Sequence, residues 1–223
     1  FALCGRIETF RLREIRKGEL HIFEKLGEER RRGEKVTKFI IVRHGQSEAN
    51  LKELYAGRFD APLTEVGRKQ AELVAEYVLK TYKVDAVYSS PLLRARESVR
   101  VIAEKADVPL QICEGIAEIY GGEWEGKTLS EIAQNYAKDA LLWKNDIGNS
   151  RPTGGESFAE VQARADKALR DIAKTHENQN VVIGTHGGVI RCMQCLFENK
   201  PISYMKEIDW VPNASVSEVN FEN

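Results

Sequence analysis

Two of the four histidines in this chain have the same kind of address. His44 precedes Gly45 and His186 precedes Gly187, each directly behind a short apolar run, Phe39-Ile40-Ile41-Val42 and Val181-Val182-Ile183. A neutral imidazole is a nucleophile and proton carrier near pH 7. Arg43 stands beside the first imidazole. A guanidinium forks onto phosphate oxygens and glycine lets backbone N–H groups approach, so Arg43-His44-Gly45-Gln46-Ser47-Glu48-Ala49-Asn50 carries the parts of an anion site. A second guanidinium, Arg94, falls in the first turn of a helix expected from Ser90-Pro91, where unpaired N–H groups already favour an anion. Singly, each has a plainer reading: a histidine satisfied in a turn, or an arginine solvated on a helix like Arg96 and Arg100. Jointly they describe one pocket. His21, in a charged stretch, and His176, at a helix end where a cation suits the dipole, receive no chemical role.

Such a pocket needs strands to carry the histidines. From Lys38 onward, strand and helix patterns alternate, which predicts an α/β domain with a largely parallel sheet covered on both faces. In such sheets, ligands bind outside the carboxyl ends of the strands. Thr64 caps a helix whose Gly67, Ala71, Val74 and Val78 recur at spacings of four and three. A strand follows at 84–88. Ser90 is expected as N-cap and Pro91 as first residue of a helix with the stripe Leu92, Ala95, Val99, Ile102 and Ala106. A short strand at 110–112 and one or two helices over 129–143 come next. Ser157 and Glu160 form a capping box before a helix that faces Phe158, Val161, Ala165, Ala168 and Ile172 inward. The last buried strand is 180–185, and 214–221 reads as an edge strand.

Bulk properties narrow the functions. A chain of 223 residues with 42% hydrophobic residues and a net charge of −1 can build a core and offers no basic surface for nucleic acid. No apolar stretch approaches the roughly 20 residues of a membrane span, and no secretory signal pattern stands at the start, so a cytoplasmic protein is expected. Cys192-Met193-Gln194-Cys195 has redox spacing but falls inside an apolar helix, away from the helix N-terminus that lowers a thiol pKa, and reads as packed thiols. Residues 1–35 are dominated by arginine, lysine and glutamate and keep no clean period, so they read as a charged appendage, either disordered or untranslated, the second with translation starting at Val36. The domain proper is 36–223.

From about Thr37 to its end the chain resembles the histidine phosphatase superfamily, which includes phosphoglycerate mutases and many small phosphatases. Arg43-His44-Gly45 with Asn50 resembles its opening motif, and Gly57 through Pro62-Leu63-Thr64 its following loop. Ser90-Pro91-Leu92-Leu93-Arg94-Ala95 is similar to its second arginine motif, and Thr185-His186-Gly187-Gly188 to its second histidine motif. The resemblance implies a three-layer α/β/α sandwich. It implies phosphorylation of His44 on the nitrogen facing the substrate, the other nitrogen being held by a backbone carbonyl. Glu118, by its place before Gly122-Glu123-Trp124-Glu125-Gly126, corresponds to the family's acid and base, with Glu123 and Glu125 as rivals of the same type. Arg43, Arg94 and His186 would stabilise the transferring phosphoryl group, and Ser47, Asn50, Gly57 and Gly187 would border the substrate. No metal and no cofactor is implied. The expected partner is a small-molecule phosphate ester, with no nucleic acid, no membrane, and a homodimer as the assembly to test.

Phosphatase and mutase share this chemistry and differ in the acceptor, water or a second hydroxyl. The mutases resembled carry a longer insertion between the acid and the second histidine, and tend to have tryptophan where Ala49 stands before Asn50. The compact form here is similar to the phosphatase branch, including broad-specificity and ribazole phosphatases. Two further readings remain: a non-catalytic binding module on the same fold, and an NTPase. Gly121-Gly122-Glu123-Trp124-Glu125-Gly126-Lys127-Thr128 fits the nucleotide-binding pattern G-x-x-x-x-G-K-[ST], although Trp124 and two carboxylates suit a triphosphate poorly.

Overall fold

An unbroken apolar run such as Phe39 to Val42 can be buried along its whole length only if both faces of its sheet are covered. The computed structural model describes residues 35–222 throughout and, before them, the backbone of Ile7–Arg16 and Glu19–Lys25. Its strands are β1 (Ile7–Arg16), β2 (Glu19–Lys25), β3 (Val36–Arg43), β4 (Ala86–Ser89), β5 (Leu110–Ile112), β6 (Asn180–Thr185) and β7 (Val216–Glu222). The helices are α1 (Glu48–Leu51), α2 (Glu65–Thr81), α3 (Leu93–Ala106), α4 (Leu129–Asn135), α5 (Ala137–Asn145), α6 (Phe158–Thr175) and α7 (Gly187–Phe197). One sheet runs in the order β2-β1-β7-β3-β6-β4-β5. From β3 to β5 every pairing is parallel, and β7 joins β3 antiparallel.

Alternation along the central strands divides the core in two. Phe39, Ile41, Val181 and Ile183 pack with α6 and α7 residues such as Val161, Leu169 and Ile190. Ile40, Val42 and Val182 pack on the other face with Val74 and Val78 of α2 and Val99 and Ile102 of α3. The three-layer α/β/α architecture expected from the alternating pattern is therefore present. The capping box at Ser157 and the Thr64 cap are in place, with side-chain oxygens accepting from Glu160 N and Gly67 N. Along α6, Ala168 is half-buried and Leu169 occupies the buried stripe.

Two expectations are corrected. The last strand is not an edge: β7 lies between β3 and β1, because the β1–β2 hairpin adds antiparallel to its outer side. That hairpin belongs to the stretch read as an aperiodic appendage. The rest of that stretch, the Arg30-Arg31-Arg32 run included, and the side chain of His21 lie outside the described residues. Nor is Ser90 the N-cap of α3. The helix begins at Leu93 behind Leu92, and Asp60 Oδ1 from another loop takes the Leu93 N–H at 2.6 Å. Ser90 Oγ accepts from Leu92 N at 3.3 Å ahead of the helix and also makes a contact of a different kind.

The entry to α2 is fitted tightly against the loop after β3. Thr64 N donates to Gln46 O at 2.9 Å, and a Cβ on Gly67 would lie 2.0 Å from that same carbonyl oxygen. Gly67→Ala is expected to destabilise the protein by about 1–3 kcal/mol through overpacking, seen as a lowered Tm in thermal denaturation. An unchanged Tm would show that the loop gives way at no cost.

Candidate active site

β3 and β6 deliver the two histidines in step. Their parallel register pairs Arg43 with Thr185, and His44 N donates to Thr185 O at 3.1 Å. The imidazoles of His44 and His186 consequently meet beyond the strand ends with ring centroids 5.2 Å apart. Arg43, His44, Arg94 and Glu118 all line one cavity of about 580 Å3. Five residues expected to act together, His186 included, are thus gathered from β3, α3, the segment after β5, and the start of α7.

The bonds around His44 define its protonation. Nδ1 lies 2.7 Å from Gly45 O, which can only accept, so Nδ1 carries the hydrogen. Arg94 Nε, which can only donate, lies 3.3 Å from His44 Nε2, so that nitrogen presents its lone pair. Burial, with Arg94 and Arg43 nearby, holds the His44 pKa well below the usual 6.5. Burial, Arg94 and His44 do the same for His186. Burial also lowers Arg43 to about 10, against the opposing pull of Glu118, which leaves its guanidinium charged at neutral pH.

The sign for stability follows. Unfolded histidines take up protons as pH falls through 6.5 while these two remain neutral in the folded state, so stability present above pH 6.5 is progressively lost below it. Nitrogen NMR is expected to show His44 as the neutral Nδ1–H tautomer down through pH 6.5. A titration centred on 6.5 would contradict this.

Each group has a fixed support. Arg94, almost fully buried as the second residue of α3, donates to Gly57 O at 2.7 Å and Phe59 O at 3.0 Å, which explains why the Gly57 loop belongs to the site. Gly57 holds φ +49°, and a Cβ there would lie 2.6 Å from Glu125 Oε1. Glu118 accepts from Ile119 N at 3.0 Å and, through its other oxygen, from Gly188 N at 3.2 Å in the first turn of α7. Ser90 Oγ sits 2.7 Å from His186 Nε2, leaving the buried His186 Nδ1 without a partner among the described residues. Arg43 Nη1 donates to Val211 O.

Of the expected border residues, Asn50 and Gly57 line the cavity. Ser47 is fully buried as the cap of α1, its Oγ accepting from Asn50 N at 3.2 Å. Gly187 lies beneath the site, where a Cβ would come within 3.3 Å of Arg43 Cζ. Among the three carboxylates, Glu118 alone lines the cavity; Glu125 accepts from Arg58 N and Gly121 N, and Glu123 is exposed. The nucleotide-binding pattern has no strand leading into it. Residues 122–124 form a 3-10 turn, Trp124 is buried, and Lys127 Nζ donates to Glu123 O.

Three supports escape a reading of the sequence. Asn213 Nδ2 donates to His44 O at 3.1 Å and to Asn50 Oδ1 at 3.2 Å. Arg164 of α6 donates to the carbonyls of Gly115, Ala117 and Glu118 and pairs with Glu156 at 3.0 Å, fixing the segment that presents Glu118. Ser90 holds His186 as described. Asn213 and Arg164 carry no local signal, since one stands in an irregular loop and the other looks like any charge on a helix face.

Fold and site together define an α/β protein with Arg43, His44, Arg94 and Glu118 gathered around one cavity at the strand ends. Residues 39–223 match the Histidine phosphatase superfamily (branch 1), and the chain belongs to that superfamily. It is 34% identical over 187 residues to phosphoserine phosphatase 1 of Hydrogenobacter thermophilus, covering 84% of this chain and 88% of that protein. It is 35% identical to the adenosylcobalamin/alpha-ribazole phosphatase of Salmonella typhimurium over 67% of this chain and 74% of the relative. Among solved structures, mycobacterial glucosyl-3-phosphoglycerate phosphatase complexed with VO3 superposes with a TM-score of 0.75 at 26% identity, covering 81% of this chain and 91% of the other. Among the described residues, no helix is long and apolar enough to cross a membrane.

Proposed function

We propose that the protein is a phosphomonoesterase that hydrolyses small phosphorylated metabolites through a phosphohistidine on His44. The observation that carries this reading is the neutral His44 ring, its Nδ1 tied to Gly45 O and its Nε2 lone pair set between Arg94 and the cavity. Nε2 attacks phosphorus and the P–O bond to the alcohol breaks. Glu118 gives its proton to the departing oxygen. The Glu118 carboxylate then takes a proton from water, the resulting hydroxide attacks the phosphohistidine, and phosphate leaves as His44 regains its lone pair.

Charge on the transferring group is met by Arg43 and Arg94, both held by backbone carbonyls before the substrate arrives. Such preorganisation supplies most of the catalysis in phosphoryl transfer. A Ser90 hydroxyl that donates to His186 Nε2 places the ring hydrogen on the unpartnered Nδ1, which a phosphoryl oxygen would satisfy. Two guanidiniums supply the positive charge and the neutral His186 ring adds a hydrogen-bond donor, so turnover is expected to be metal-independent. The test is a panel of phosphomonoesters in excess EDTA, including 3-phosphoglycerate with and without its bisphosphate primer. Hydrolysis of several esters supports the reading. Loss of all turnover in EDTA contradicts metal independence, and turnover confined to the primed isomerisation makes the protein a mutase.

A further inference from the structure

The cavity is far larger than the phosphoryl group that its inner end holds, and at about 580 Å3 it has the size of a pocket for a whole small molecule. Beyond His44 its wall is apolar and largely aromatic. Leu54, Tyr55, Leu129, Trp143, Phe158 and Trp210 all contribute. Tyr55 and Trp143 form an edge-to-face pair at 5.4 Å, and Trp143 packs on Phe158 at 5.3 Å, so this wall is rigid before any ligand enters. At the mouth, Leu129 is 63% exposed and Trp210 50% exposed, with Trp210 backed by the Arg191 guanidinium at 4.3 Å. Two large apolar side chains left open on the rim of one cavity mark a surface for an apolar ligand.

Charge decides what that ligand lacks. The cations that line the cavity are Arg43 and Arg94, and both belong to the phosphoryl end. Arg58, next in the chain to the lining residue Gly57, pairs with Glu156 at 3.3 Å. The outer wall instead carries Glu53. Among the residues lining that outer wall, a carboxylate on the alcohol part of a substrate would meet no cation and would face Glu53.

We infer that the preferred substrates are phosphomonoesters of an uncharged alcohol with a flat apolar part, and that Trp210, Leu129 and Glu53 set this preference by binding that part and by repelling carboxylates. The inference rests on the phosphatase reading. It places small acidic esters such as 3-phosphoglycerate among the poor substrates.

The test compares alkyl esters, so that the intrinsic ease of the leaving group does not sort them: 2-(2-naphthyl)ethyl phosphate, ethyl phosphate and 3-phosphoglycerate. The wild-type protein is expected to favour the naphthyl ester over both others in kcat/KM by at least about 10–200-fold, the worth of a single methylene in a fitted apolar pocket, mainly through KM. Trp210→Ala and Leu129→Ser should each shrink the naphthyl-to-ethyl ratio several-fold. Glu53→Lys should move the naphthyl-to-phosphoglycerate ratio toward 3-phosphoglycerate. Hydrolysis of all three esters without preference, or a preference for 3-phosphoglycerate, overturns the inference and leaves the phosphatase reading standing. Ratios unmoved by all three substitutions overturn the assignment of these residues. Absence of turnover on every ester defeats the phosphatase reading itself.

Discussion

His44→Ala is expected to lower kcat by about 10^4-fold or more, the scale on which loss of a nucleophile falls when the rest of a site survives. The structure offers no substitute. His186 is the nearest imidazole, yet its Nε2 is engaged by Ser90 and its ring centroid stands 5.2 Å from that of His44. The variant should still fold, because the contacts that order this loop run through the backbone, from His44 N to Thr185 O and from Ala214 N to His44 O. Rapid acid-free quenching of the wild type with a labelled ester should trap an acid-labile, base-stable phosphoenzyme, and the variant should yield none. Full activity in the variant, or a phosphoryl group found on another residue, would end the proposed mechanism.

Glu118→Gln should cost about 10^2–10^4-fold in turnover of alkyl esters, the usual contribution of a positioned acid–base group. The exchange keeps the shape but leaves one oxygen to accept from Ile119 N and Gly188 N, where the carboxylate offers two. Its more telling effect depends on the leaving group. A nitrophenolate departs without needing a proton, so the first step with 4-nitrophenyl phosphate should be nearly spared while attack by water on phosphohistidine remains slow. A burst of about one equivalent of nitrophenolate, followed by a slow steady rate, is therefore expected in stopped flow. Equal losses on alkyl and aryl esters with no burst would move the acid–base role to another group.

Much of the site is legible in the sequence because its parts sit on local signals. Strand runs that break into His-Gly, and an arginine at a helix start, are short patterns. The parallel pairing that sets them in step follows from alternating strands and helices. What the sequence does not show is long-range. Ser90 looks like a cap by its neighbours, yet Asp60, 33 residues away from Leu93, takes the first helical N–H, and Ser90 Oγ, besides accepting from Leu92 N, reaches His186, 96 positions along the chain. Strand β7 reads as an edge until the β1–β2 hairpin, which has no clean apolar alternation, is seen to pair with it. Asn213 acquires its meaning only through contacts 169 residues back. In each case the partner, and not the residue itself, carries the information.

The segment around Val211–Ala214 also has a consequence for biosynthesis. Val211 O anchors Arg43, while Asn213 and Ala214 N both bind the His44 carbonyl. A nascent chain carries His44 early but does not emit these anchors until some 169 residues later, roughly 10–30 s at ordinary elongation speeds. Until then His44 has neither its neighbouring guanidinium oriented nor its loop tied down. In the proposed mechanism, competence for phosphoryl transfer therefore waits for residues 211–214 and arrives with their docking rather than by gradual improvement of a partial site.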